Sequence, residues 1–142
     1  MKFSYFPHPL DPSVSYPLVV ATLQGPSRAI ELQCLVDSGA DIDSFPVSVA
    51  RKIGIPTEDC PTETIIGIGG QITCYLSEVK ISIAGHSYKT EAQFLEPSRV
   101  VVHGQMVSRD IPPLLGRKNT FANFKIIFDE ANQELELISY RK

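Results

Sequence analysis

The stretch from Ile30 to Asp43 restricts the possible folds more than any other part of the chain. Residues 30, 32, 34 and 36 are Ile, Leu, Cys and Val, alternating with Glu31, Gln33 and Leu35. This period-two pattern marks a strand entering a core. The strand runs into Asp37-Ser38-Gly39, where the glycine permits a backbone path that a side chain would obstruct. An acid at the mouth of an apolar strand is costly unless it is solvated, paired or used. Asp37 is therefore read as a functional carboxylate.

The flanking sequence supplies further short strands. Tyr16–Leu23 is a strand candidate, and Gln24-Gly25-Pro26-Ser27 turns it into the strand that ends at Asp37. Pro46 opens a short helix with Val49 and Ile53 on one face, stopped by Gly54 and Pro56. Residues 57–64 are polar and read as loop. Residues 64–76 form two β-like arms around the glycine-rich tip Gly67-Ile68-Gly69-Gly70, the pattern of a mobile hairpin. Alternation returns in Glu78–Ile83 and in Tyr88–Leu95, with a turn at Ala84–Ser87. Val100–Val102 reads as a short strand inside an otherwise loop-like stretch, 96–113. A short helix is expected over Asn119–Asn123, and a closing hairpin joins Lys125–Phe128 to Glu134–Ser139. The sum is a mostly β domain, a small closed β-barrel with two short helices.

Composition sets limits on function. The 142 residues, 43% of them hydrophobic, suffice for one domain with a real core and not for two. We divide the chain into an irregular N-terminal arm, 1–15, and a single domain, 16–142. The arm packs either on the body or on a second subunit. A net charge of −3 without a basic block argues against nucleic acid as a partner. Apolar runs are too short to cross a bilayer, and residues 1–9 lack the hydrophobic core of a signal peptide. No membrane partner and a cytoplasmic location are expected. Cys34, Cys60 and Cys74 are widely spaced, which favours reduced thiols over a disulfide framework. Neither they nor His8, His86 and His103 have metal-ligand spacing, so no metal and no cofactor is expected.

Three separated segments agree with one family. Leu35-Val36-Asp37-Ser38-Gly39-Ala40-Asp41 resembles the catalytic loop of retropepsin-like aspartic proteases, a hydrophobic pair followed by Asp-Thr/Ser-Gly-Ala. Ile66-Gly67-Ile68-Gly69-Gly70 is similar to their flap tip. Leu114-Leu115-Gly116-Arg117 is similar to the hydrophobic-hydrophobic-Gly-Arg segment before their C-terminal helix. The resemblance spans roughly residues 16 to 140.

The resemblance implies roles for each residue. Asp37 is the catalytic acid, and the hydroxyl of Ser38 braces two such loops against each other. Gly39 lets backbone and substrate approach, with Ala40 and Asp41 continuing the substrate-binding loop. Asp41 pairs with Arg117, which supports the loop. Gly67, Ile68, Gly69 and Gly70 form a lid, with Ile68 touching ligand or twin. Stretch 96–112 is longer than a minimal viral-type enzyme needs; it shapes pockets, forms a dimer contact or blocks the cleft.

Peptide hydrolysis by carboxylates needs two of them close enough to share one proton. The chain holds one Asp-Ser/Thr-Gly, and Asp41 and Asp43 follow too closely on the same loop to be the second member. A symmetric homodimer solves this. The expected activity is thus an aspartic endopeptidase acting on extended peptide or protein substrates. The alternative is a non-catalytic peptide-binding or dimerisation module of the same fold.

Overall fold

In chain order the elements are β1 (Lys2–Ser4), β2 (Phe6–Pro7), β3 (Ser15–Tyr16), β4 (Leu18–Gln24), β5 (Ala29–Val36), β6 (Ser44–Pro46), α1 (Val47–Ile53), β7 (Thr62–Gly67) and β8 (Gly70–Ile83). There follow β9 (His86–Leu95), β10 (Ser98–Val102), β11 (Gln105–Arg109), β12 (Leu114–Leu115), α2 (Thr120–Asn123), β13 (Phe124–Asp129) and β14 (Glu134–Ser139). The computed structural model describes residues 1–8, 10–67 and 70–141.

Six of these strands close into a ring. β4 pairs antiparallel with β5, and β5 runs parallel to β12 through Leu114↔Leu35 and Leu115↔Val36. β12 meets β6, β6 runs parallel to β9, and β9 pairs antiparallel with β8. The register Thr22↔Ser82, Leu23↔Ile81, Gln24↔Lys80 joins β8 back to β4. Closure removes the exposed edges that an open sheet of this size would carry. The interior follows from the period-two pattern. Val19, Ala21 and Leu23 of β4 are fully buried, as are Cys34 of β5, Ile81 and Ile83 of β8, and Ala92 and Phe94 of β9. Phe94 packs on Phe45 with ring centroids 5.8 Å apart.

α1 plugs one side of the ring. Val47, Val49, Ala50 and Ile53 are buried, and the helix stops where Gly54 enters the left-handed region at φ 87°. Its amide bonds back to Ala50 and Arg51, the glycine C-terminus that the sequence announces. Gly25, in the β4–β5 turn, lies flush on this helix end: a Cβ there would come within 2.6 Å of the Ile53 carbonyl oxygen.

The structure corrects the sequence reading in three places. The first residues are not irregular throughout: β1 pairs with β14 through Phe3↔Leu135, and β2 pairs with β3 through Phe6↔Tyr16. Phe3 packs against the core, and Tyr5 is buried with its hydroxyl donating to Glu130 at 2.9 Å. Secondly, 98–109 is a regular hairpin rather than loop with one short strand, its register running from Ser98↔Arg109 to Val102↔Gln105. Its turn residues His103 and Gly104 both take positive φ, 50° and 77°. That is the backbone of a two-residue hairpin turn whose twist matches the strands. Thirdly, β7 begins at Thr62 after a single 3-10 turn over Thr57–Asp59, within residues read as loop. No helix among the described residues is long and apolar enough to cross a membrane.

Candidate active site

β5 delivers Asp37 to one end of the ring. Its amide donates to the carbonyl of Leu115 at 3.0 Å, continuing the parallel β5–β12 ladder one residue beyond the strand. The chain then folds back on itself. The Asp37 carboxylate accepts the Gly39 amide at 2.8 Å, and the Asp37 carbonyl accepts the Ala40 amide at 3.2 Å. This is the local side-chain-to-backbone turn that Asp favours. A Cβ on Gly39 would sit 3.2 Å from Asp37 Oδ1, so a larger residue would crowd the carboxylate. Asp37 and Ala40 are half-buried, whereas Ser38, Gly39 and Asp41 are exposed.

A second segment is zipped along this loop. The Arg117 amide donates to the Ala40 carbonyl at 2.9 Å, and the Lys118 amide donates to the Asp41 carbonyl at 2.8 Å. Gly116 is packed so tightly that a Cβ would lie 2.6–2.7 Å from the backbone C, N and O of Ile42. Arg117 and Asp41 are thus brought together, but by their backbones. The ion pairs among the described residues are Lys2–Glu134 and Arg51–Glu96, so the expected guanidinium–carboxylate fork between Arg117 and Asp41 is not formed. Both side chains are exposed, where such a pair contributes little.

The glycine-rich hairpin is built from β7 and β8, in register Ile65↔Ile72, Ile66↔Gln71, Gly67↔Gly70. Ile66 is 78% exposed, and Gly70 takes φ 109°. Ile68 and Gly69, the expected tip, lie outside the described residues. Two cavities are lined in part by the strands that carry these segments. One of about 350 Å³ is mainly apolar, lined by His8, Tyr16, Leu18, Leu35 and Pro112. The other, about 490 Å³, lies between the shank of β8 (Gln71, Ile72, Thr73) and the root of the β10–β11 hairpin (Ser98, Arg99, Ser108). Among the described residues no group of His, Cys, Asp and Glu is arranged to hold a metal ion. The cysteines are free thiols, and burial pushes Cys34 up to about 12.

Sequence reasoning passed over one residue beside the site. Asp43 is fully buried. Its carboxylate accepts the Gly116 amide at 2.6 Å, the Thr120 hydroxyl at 3.1 Å and the Tyr88 hydroxyl at 3.2 Å. Its own amide donates to Asn119 Oδ1 at 2.7 Å. Burial pushes the Asp43 carboxyl up to about 6, against the opposing effect of these donors. Burial, and then the charge of Asp43, raise the Tyr88 hydroxyl as well. The only signal available in advance was an acid separated by one residue from the apolar run Phe45-Pro46-Val47.

The ring, the strand-borne Asp-Ser-Gly turn, the adjacent hairpin and the Gly-Arg segment together define the retropepsin-like aspartic protease fold. Solved structures agree. A retropepsin-like aspartic protease from Rickettsia conorii superposes with a TM-score of 0.60 at 14% identity, over 97% of this chain and 98% of that one. The retroviral protease-like domain of Ddi1 from Leishmania major gives 0.54 at 13% identity, covering 91% and 98%. The EIAV protease complexed with the inhibitor HBY-793 gives 0.53 at 18% identity, covering 75% and 86%. No protein-family model and no curated protein sequence matches the chain.

Proposed function

We propose that the chain is one half of a homodimeric aspartic endopeptidase that hydrolyses peptide bonds in extended polypeptides. The observation that carries this reading is the setting of Asp37. It stands half-exposed at the end of a central strand, fixed by the Leu115 carbonyl and the Gly39 amide, on a fold shared with solved aspartic proteases.

A second copy would place its own Asp37 beside the first across a two-fold axis. Two carboxyls in contact cannot both ionise cheaply, so the pair holds one proton between them. The ionised member takes a proton from water as the oxygen attacks the peptide carbonyl. The protonated member gives its proton to the carbonyl oxygen, yielding a neutral tetrahedral diol. As the diol collapses, one hydroxyl proton returns to a carboxylate. The other carboxyl protonates the departing nitrogen, the C–N bond breaks, and the dyad is restored.

Ser38 would brace the two loops at the axis. Gly39, Ala40 and Asp41 would run beside the substrate backbone, which adds as a strand with its side chains alternating into pockets. The Arg117 segment would support the loop through its backbone. The β7–β8 hairpin would close over the substrate and exclude water.

Purified protein should cleave a denatured protein at mildly acidic pH and be slowed by a pepstatin-type inhibitor. Asp37→Ala should abolish cleavage and leave the far-UV circular dichroism unchanged. Cleavage by that variant at the parental rate would refute the assignment. A parent that binds extended peptides but never cuts them would favour the binding-module reading.

A further inference from the structure

The peptide unit between Leu115 and Gly116 is held from both sides. Its carbonyl accepts the Asp37 amide at 3.0 Å, and its N–H donates to the Asp43 carboxylate at 2.6 Å. One rigid plane therefore links the two acids. An ionised acceptor on the N–H polarises the amide and strengthens the bond that its carbonyl accepts. The plane has little freedom to move, because Gly116 lies flush on the Ile42 backbone.

We propose that Asp43 is a positioning residue for Asp37, its buried carboxylate fixing the Leu115–Gly116 peptide that in turn holds the Asp37 loop. The groups facing it come from every element packed around it. Cys34 on β5 and Tyr88 on β9 are titratable, their own ionisation opposed by burial; Asn119 and Thr120, at the start of α2, are neutral. None of them is cationic, and among the described residues no Lys or Arg forms an ion pair with Asp43. No cation among the described residues compensates the carboxylate. The Gly116 amide can only donate, so protonation of Asp43 weakens that bond, whereas the Thr120 and Tyr88 hydroxyls, which also bond to each other, can accept from the neutral acid. The loop therefore has a pH response of its own, separate from the titration of Asp37. Its effect on catalysis rests on the endopeptidase reading; its effect on the loop does not.

The test is nitrogen-15 amide spectroscopy of the full chain between pH 4 and 8, with three proteins: parent, Asp43→Asn and Asp37→Asn. In the parent, the Gly116 and Asp37 amides should move together with a shared midpoint near the value of about 6 that burial gives Asp43. That midpoint should persist in Asp37→Asn and vanish from both amides in Asp43→Asn. In the peptidase assay run above pH 6, where Asp43 is ionised, Asp43→Asn should lower kcat on the order of ten-fold or more with KM unchanged, the result of a misplaced rather than a missing group. If Asp43→Asn does not fold, comparing the parent with Asp37→Asn still decides the matter. An Asp37 amide that ignores the Gly116 titration, or a Gly116 amide that does not titrate in this range, overturns the proposal. So does an Asp43→Asn enzyme with parental kcat. Should the protein prove to have no peptidase activity, the amide titrations judge the positioning role alone.

Discussion

Gly116→Ala is the sharpest perturbation of the scaffold beneath Asp37. The added methyl would lie 2.6–2.7 Å from three backbone atoms of Ile42. Since ordinary carbon contacts begin at about 3.5 Å, the two segments must separate by most of an ångström. Neither side of the clash is a flexible side chain. The separation falls on the Arg117–Ala40 and Lys118–Asp41 bonds, at 2.9 and 2.8 Å, and on the Gly116–Asp43 bond at 2.6 Å. Two neutral bonds at about 1 kcal/mol each and one charged bond at about 2 kcal/mol give an expected loss of about 4 kcal/mol. With a urea slope of about 2 kcal/mol per molar, the unfolding midpoint followed by far-UV circular dichroism should fall by about 2 M. Gly104→Ala is the control. Gly104 has φ 77°, but open space surrounds its missing Cβ, so the cost should be the conformational one of about 1 kcal/mol. If the two variants unfold at the same urea concentration, the close packing of Gly116 on the Asp37 loop is not what holds these segments together.

Other expectations follow from the same structure. Because burial raises Asp43 from 3.8 to about 6, the folded state binds its proton more tightly than the unfolded chain does. This group's contribution is therefore most favourable below about pH 4 and falls by about 3 kcal/mol as pH rises to about 6. Urea titrations across that range should show the slope in the parent and not in Asp43→Asn. Leu115→Ala removes a fully buried side chain next to Gly116 and should cost about 2–5 kcal/mol in the same assay. Tyr5→Phe deletes only a partly buried bond to Glu130 and should cost about 1 kcal/mol or less.

Some of this architecture is written locally in the chain and some is not. The alternation of Ile30, Leu32, Cys34 and Val36 and the break at Gly39 are short-range signals, and β5 with its Asp37 turn follows them. Gly54 ends α1 for an equally local reason. The β10–β11 hairpin was harder to read because His103, rather than Asn or Asp, stands before Gly104 in the left-handed turn. β1 depends on a partner strand far along the chain, so Lys2–Ser4 alone carries no strand signal. Asp43 is the clearest case. Its partners Tyr88, Gly116 and Thr120 lie 45, 73 and 77 residues away, and only the folded ring brings them to one carboxylate. Likewise, the Asp41–Arg117 fork is a property of side chains that the resemblance implied, whereas this structure joins the two segments through backbone bonds.

The central claim is that each polypeptide supplies a single catalytic acid and that a second copy completes the site. Subunit mixing tests it most directly. Parent protein is unfolded and refolded with about a nine-fold excess of Asp37→Asn chains, and peptidase activity is measured per parent chain. A dimeric site predicts a fall to about one tenth, because nearly every parent subunit then faces a partner lacking the acid. Activity per parent chain that is unchanged by the excess would mean that one Asp37 suffices, and would contradict the account.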